Sequence, residues 1–161
     1  MGVSWSWDNQ DRSIIRFTFA SPWMLGEFIA ANQEAIEITD HFNHIVDAIF
    51  DFRKGTMIPS GAISVFRNTA RRALASPNEG ITVLLGASAF VQMIYNGMTQ
   101  LSPDLARTIQ QAEDDCEAYR LIAVEHALRE TARSGVRKSP EPLHSTLYAS
   151  SQSHPLGADL P

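Results

Sequence analysis

One cysteine, Cys116, is all that 161 residues contain, so neither a disulfide within one chain nor a cysteine-based zinc site can form. A reducing compartment suits such a chain. Long apolar runs are missing too: nothing approaches the roughly 20 residues that a membrane-crossing helix requires. The start, Met1 to Asp11, has no basic stretch leading into an apolar one, so a cytoplasmic protein without membrane attachment is expected. Positive charge is in deficit. Thirteen Lys and Arg against 18 Asp and Glu leave a formal net charge of -5, which argues against a nucleic-acid partner, because general binders need clustered Lys and Arg to displace phosphate counterions.

Catalytic signatures are equally sparse. Gly55 and Gly61 frame a loop but match neither Gly-x-Gly-x-x-Gly nor a P-loop. There is no Gly-x-Ser-x-Gly elbow, the histidines show no triad spacing, and Cys116 falls inside a predicted helix, where a packed thiol is expected. The residues therefore predict no enzyme, no cofactor and no metal.

What is present is ordinary globular composition: 44% hydrophobic and 19% charged residues, enough for one sizeable core. Val3 to Trp7 and Ser13 to Phe19 alternate around the polar stretch Asp8 to Asp11, which reads as a β-hairpin. Ser21-Pro22 reads as the cap and first residue of a helix reaching about Thr39, with Met24, Leu25, Phe28, Ile29 and Ile36 at helical spacing. His44 to Phe52 is nearly continuous in apolarity apart from Asp47 and predicts a central buried strand. Pro59 opens a second helix carrying Ala62, Ile63, Phe66, Ala70 and Leu74 on one face and ending near Ser76-Pro77.

Ile81 to Leu85 is a further strand, followed by a helix capped by Ser88. Ala106 to Ala112 is a weaker strand, and Glu113, Asp114 and Asp115 place acids at the start of a last helix ending near Arg133. Helices alternating with buried strands predict an α/β fold: a mostly parallel sheet with right-handed crossovers, an N-terminal hairpin edge and about four helices. The folded domain is expected over 1–133. Residues 134–161, rich in Ser and Pro, are expected to form a disordered tail whose only apolar cluster is Leu143 to Leu147 with Tyr148.

The hairpin start, the strand ending in Asp51 and the stretch Ile58-Pro59-Ser60-Gly61-Ala62-Ile63-Ser64-Val65-Phe66 together resemble the STAS domain, the fold of anti-sigma-factor antagonists, over roughly residues 3 to 131. The resemblance implies a regulatory protein-protein interaction module with a kinase- or regulator-like protein partner. Its Asp-Ser-Ser/Thr-Gly stretch carries the phosphorylated serine or threonine, and the matching positions here are Ser60, as phosphoacceptor, and Gly61. Pro59 and Ile58 stand where that family has small polar and acidic residues. A phosphate on Ser60 would sit near the positive end of a helix, with Arg53 and Lys54 able to pair with it; serine is also a common helix cap without any such role.

Arg53, Lys54, Gly61, Ser64, Arg67 and Arg71 are the residues expected to meet a partner, Arg67 and Arg71 sharing a helix face four residues apart. The rival expectation is a small-ligand site at the carboxyl ends of the strands, from Ser21, Asp51, Ser60, Gly86 and Ser88. A receiver-type role for Asp51 lacks the acidic pair and the lysine it would need, so bonding to nearby backbone amides is expected instead. His41, His44, Asp40 and Asp47 do not match a metal-ligand spacing. At least two of Trp5, Trp7 and Trp23 are expected to pack in the core or at an edge, and an exposed one on the hairpin would mark a homodimer edge.

Overall fold

The structure is a computed structural model that describes residues 2–55, 57–86, 88–100 and 104–136. Five strands and five helices follow in the order β1 (Gly2–Trp7), β2 (Ile14–Ala20), α1 (Leu25–Thr39), β3 (Val46–Lys54), α2 (Ala62–Ala73), β4 (Glu79–Leu85), α3 (Ala89–Thr99), α4 (Leu105–Thr108), β5 (Ile109–Ala112) and α5 (Asp115–Val136). Spatial order in the single sheet equals chain order. β1 pairs antiparallel with β2, and every later pairing is parallel. Because the chain steps across the sheet in one direction, right-handed crossovers lay α1, α2 and α3 on one face, leaving α5 for the other.

Alternation along the strands assigns each side chain to a face. Ile15, Phe17 and Phe19 of β2 and Phe50 and Phe52 of β3 point toward α1–α3, where they meet Phe28, Phe66, Val91, Ile94 and Met98. The aromatic rings are in close contact, with the Phe19 and Phe52 centroids 4.2 Å apart and those of Phe28 and Phe66 4.8 Å apart. On the opposite face, Ile49, Ile81, Val83 and Leu85 pack against Ala118 and Ile122 of α5. β3 is thus buried on both sides, as its near-continuous apolarity requires. Trp23 is buried; Trp5 and Trp7 are half-buried, Trp7 stacking on Phe42 and the Trp5 indole donating to Glu34. All three take the packing roles expected of them.

Several boundaries move. α1 starts at Leu25, not at Ser21-Pro22. The Ser21 N–H is still engaged by the carbonyl of Lys54, so the chain has not yet left the sheet, and the helix entry is secured by Glu27, whose carboxylate accepts the Met24 N–H. α2 starts at Ala62 instead of Pro59 because Gly61 adopts φ +84°, a left-handed turn that precedes the helix. Leu105–Thr108 forms one helical turn, α4, so the last strand is only Ile109–Ala112; this fifth short helix adds to the four expected. α5 runs to Val136, which moves the end of the folded domain beyond residue 133. The rest of the expected tail, with Leu143 to Tyr148, lies outside the described residues. Cys116 is exposed on α5, correcting the expectation of a packed thiol.

Candidate functional site

On the face shared with α5, residues far apart in the chain join in one ionic network. β2 turns Arg16 to this face, β3 turns Asp51 and Arg53, the β1–β2 turn brings Asp8, and the first turns of α5 bring Asp115 and Tyr119. Arg16 donates through Nε and Nη2 to the two oxygens of Asp8, at 2.6 and 3.1 Å, and through Nη1 to Asp51 at 3.2 Å. Its Nη2 also lies 2.8 Å from Asp115. Arg53 closes the circuit, Nε and Nη2 to Asp51 at 2.9 and 2.6 Å and Nη1 to Asp115 at 2.6 Å. The Tyr119 hydroxyl donates to Asp8 at 2.6 Å.

Burial alone would raise the Asp8 and Asp51 carboxyls. For Asp8, hydrogen bonds from Arg16 and Tyr119 outweigh that, and for Asp51, the side-chain and backbone hydrogen bonds from Arg53 do; both end below the ordinary carboxylate range. Arg16 and Arg53 are held charged, chiefly by their bonds to Asp8 and Asp51 respectively. All six guanidinium nitrogens of the two arginines are within reach of a carboxylate. The network thus clamps α5 to the sheet, with every one of these nitrogens already engaged by the protein's own carboxylates. Asp51 also accepts the Arg53 N–H at 3.0 Å, the backbone bond expected of it, and with both oxygens engaged it is ill placed to act as a phosphoacceptor.

A second buried carboxylate, Asp47, is fully enclosed. Its Oδ1 accepts the Ile81 N–H at 2.8 Å and its Oδ2 lies 2.6 Å from His126 Nε2. Gly80 makes room for it, since a Cβ there would overlap the carboxylate. A carboxylate–imidazole pair is half of a hydrolytic constellation, yet among the described residues no hydroxyl or thiol bonds the imidazole, and no group of three or more His, Cys, Asp and Glu is arranged to hold a metal ion. His44 lies ahead of β3 and bonds the Arg12 carbonyl at 3.1 Å, remote in role from Asp47.

The carboxyl ends of β2 and β3 lead to the predicted partner-binding residues. Lys54, Ser60, Gly61, Ser64 and Arg71 are exposed and Arg67 is half-buried. The N-terminus of α2 has no side-chain cap, and Gly61 adjoins Leu25 at the start of α1. Arg53 is exposed as well, but its guanidinium is engaged in the ionic network on the opposite face. Among the described residues two methionines are the most exposed large apolar side chains, Met24 at 68% before α1 and Met57 at 69% before α2. Both follow strands that leave the sheet at this end.

Three of the alternative ligand residues have local structural roles. Ser21 is held at the end of β2 against Lys54, and Ser88 caps α3 by accepting the Val91 N–H. Gly86, at φ +141°, packs so closely that a Cβ would press on Val91. A cavity of about 250 Å³ instead opens between α1 and α2 toward the amino ends of the strands, lined by Ile15, Phe17, Val46, Ala48, Phe50 and Phe66 and rimmed by polar groups that include Asp40, Arg72 and Glu79. None of Ser21, Asp51, Ser60, Gly86 or Ser88 lines it. No helix among the described residues is long and apolar enough to cross a membrane. Neither a family model nor a curated protein matches the sequence.

Proposed function

We propose that this chain is a non-catalytic protein-interaction module of STAS type, whose contact surface is the carboxyl end of β2 and β3 with the start of α2. The observation that carries this reading is the pair of exposed methionines, Met24 and Met57, beside exposed Lys54 and Ser60. Unbranched, polarizable thioethers adapt to a partner surface at small cost and are over-used at promiscuous binding surfaces. The mixed sheet with an antiparallel hairpin edge is the layout that the STAS resemblance implies. The N-terminus of α2, which no side chain caps, supports a switch at Ser60, since the helix dipole favours a phosphate there. Arg53, engaged elsewhere, takes no part in this reading; Lys54 is the cation that remains.

The test is affinity capture from native extract with four baits: wild type, Met24→Glu/Met57→Glu, Ser60→Asp, and Leu128→Glu on the exposed side of α5 as a remote control. A protein held by wild type and control, released by the double variant and weakened by Ser60→Asp supports the surface and the switch together. A protein released only by Leu128→Glu, or retained by all four baits, would move the interface elsewhere.

A further inference from the structure

α1 and α2 touch through Phe28 and Phe66 and diverge toward their C-terminal ends, where the cavity of about 250 Å³ opens. α1 leans on β1 and α2 on α3, so neither closes the gap. An apolar cavity of about 150 Å³ holds one benzene ring; this one has room for a ring with a short arm. Its floor is apolar and aromatic: Phe17, Phe50, Phe66, Ile15, Val46 and Ala48.

The helix ends and carboxylates on the rim share one electrostatic sign. The last turns of α1 and α2 both border the cavity, so two sets of C-terminal carbonyls bring the negative ends of two helix dipoles to it. α1 has no basic residue in its last turn and ends on Asp40. Glu79 lies beside Asp40, and among the described residues no hydrogen bond or ion pair engages its carboxyl. Burial first, and then the charges of Asp40 and Asp47, push the Glu79 carboxyl up. Arg72 on α2 is the cation bordering the cavity, exposed at its mouth. Asp47 faces away, held by Ile81 and His126.

We propose that this cavity is a binding site for a small aromatic amine, its ring among Phe17, Phe50 and Phe66 and its ammonium group against Glu79 and Asp40. The ammonium supplies the donors that Glu79 lacks and relieves the repulsion between the two carboxylates. The site is independent of the interaction surface proposed above and lies toward the other end of the strands.

The experiment titrates the full chain with three molecules of one shape, phenethylamine, 2-phenylethanol and 3-phenylpropionate, by calorimetry and by protein-observed NMR. Phenethylamine is expected to bind at least about tenfold tighter than 2-phenylethanol, the gain of one charge-assisted contact, and 3-phenylpropionate to bind weakest. Glu79→Gln removes the preference for the amine while leaving the alcohol's affinity within about twofold. Ala70→Phe, or Thr69→Trp if that variant fails to fold, fills the cavity and abolishes binding of all three. Affinity for the amine rises with pH as Glu79 loses its proton, and the rise extends above the ordinary carboxylate range. Equal affinities for the three probes, preference for 3-phenylpropionate lost in Arg72→Ala, NMR shifts confined to residues outside the cavity, or no binding to wild type at millimolar probe would each overturn the proposal.

Discussion

Under α1, α2 and α3 the sheet presents Phe17, Phe19, Phe50 and Phe52 to a continuous aromatic core, whereas under α5 it presents Ile49, Ile81 and Val83 on one side and Arg16, Asp51 and Arg53 on the other. The same two strands, β2 and β3, supply the most apolar and the most charged patches of the interior, one residue out of phase. The aromatic core is held by area removed from water, and its rings carry no charge to titrate. The α5 face is held partly by charges that must all be present together, so it responds to protons and ions.

The largest expected effect breaks the aromatic face. Phe66→Ala removes a ring in contact with Phe19, Phe28, Phe50 and Phe52 and should lower stability by about 3–5 kcal/mol, read as a fall in the urea midpoint at unchanged slope, the same at low and high salt. Arg16→Ala attacks the other face. It leaves Asp8 and Asp51, whose side chains are only 12% and 9% exposed, short of a common partner, and should cost roughly 1–3 kcal/mol, with added salt recovering part of the loss. Equal salt sensitivity of the two variants would erase the distinction between the faces.

A titration sharpens it further. Asp8 and Asp51 lie below their ordinary range in the folded chain, so the stability they confer is full above the ordinary carboxylate value of about 4 and is lost as pH falls from there through their folded values. Glu79, pushed up, has the opposite sign: its contribution is full below the ordinary value and is lost as pH rises through its folded value. Urea midpoints measured from about pH 7 down to about pH 3 should therefore fall less steeply for Asp8→Asn than for wild type, while Glu79→Gln should be more stable than wild type at neutral pH. The smallest effect is local. Gly61→Ala places a Cβ at φ +84°, where it meets nothing closer than Leu25, and should cost about 1 kcal/mol of backbone strain alone, seen as a small fall in melting temperature.

How much of this was legible in the residues differs by range along the chain. The hairpin, the buried β3, the Ser88 cap and the bond from Asp51 to a near backbone amide are all short-range patterns, and each is present in the structure. The starts of α1 and α2 were displaced by several residues because Pro22 and Pro59 are equally at home in the turns that precede those helices. Ala106 to Thr108 took a helical turn that apolar spacing over so few residues cannot separate from a strand. The ionic network could not be read at all: Arg16 and Asp51 are 35 residues apart, and Asp8 and Tyr119 are 111. Alternation places Arg16 on the face opposite Phe17, which is the one signal available, yet it does not say that Asp115 waits there. The cavity with Glu79 likewise arises from the divergence of two helices, a property of packing and not of either segment alone.

The equality of strand order and chain order has a consequence for the way the molecule assembles. Each new strand pairs with the strand before it, so the sheet extends outward from its hairpin in the order of synthesis, each parallel step closing through a helical crossover. α5 is the last of the described elements in this order. Until it is made, Arg16, Asp51 and Arg53 stand on a wet, uncovered face, and the arrival of Asp115 and Tyr119 is the step that removes water from them. α5 thus acts as a latch that closes on side chains already placed by β2, β3 and the β1–β2 turn.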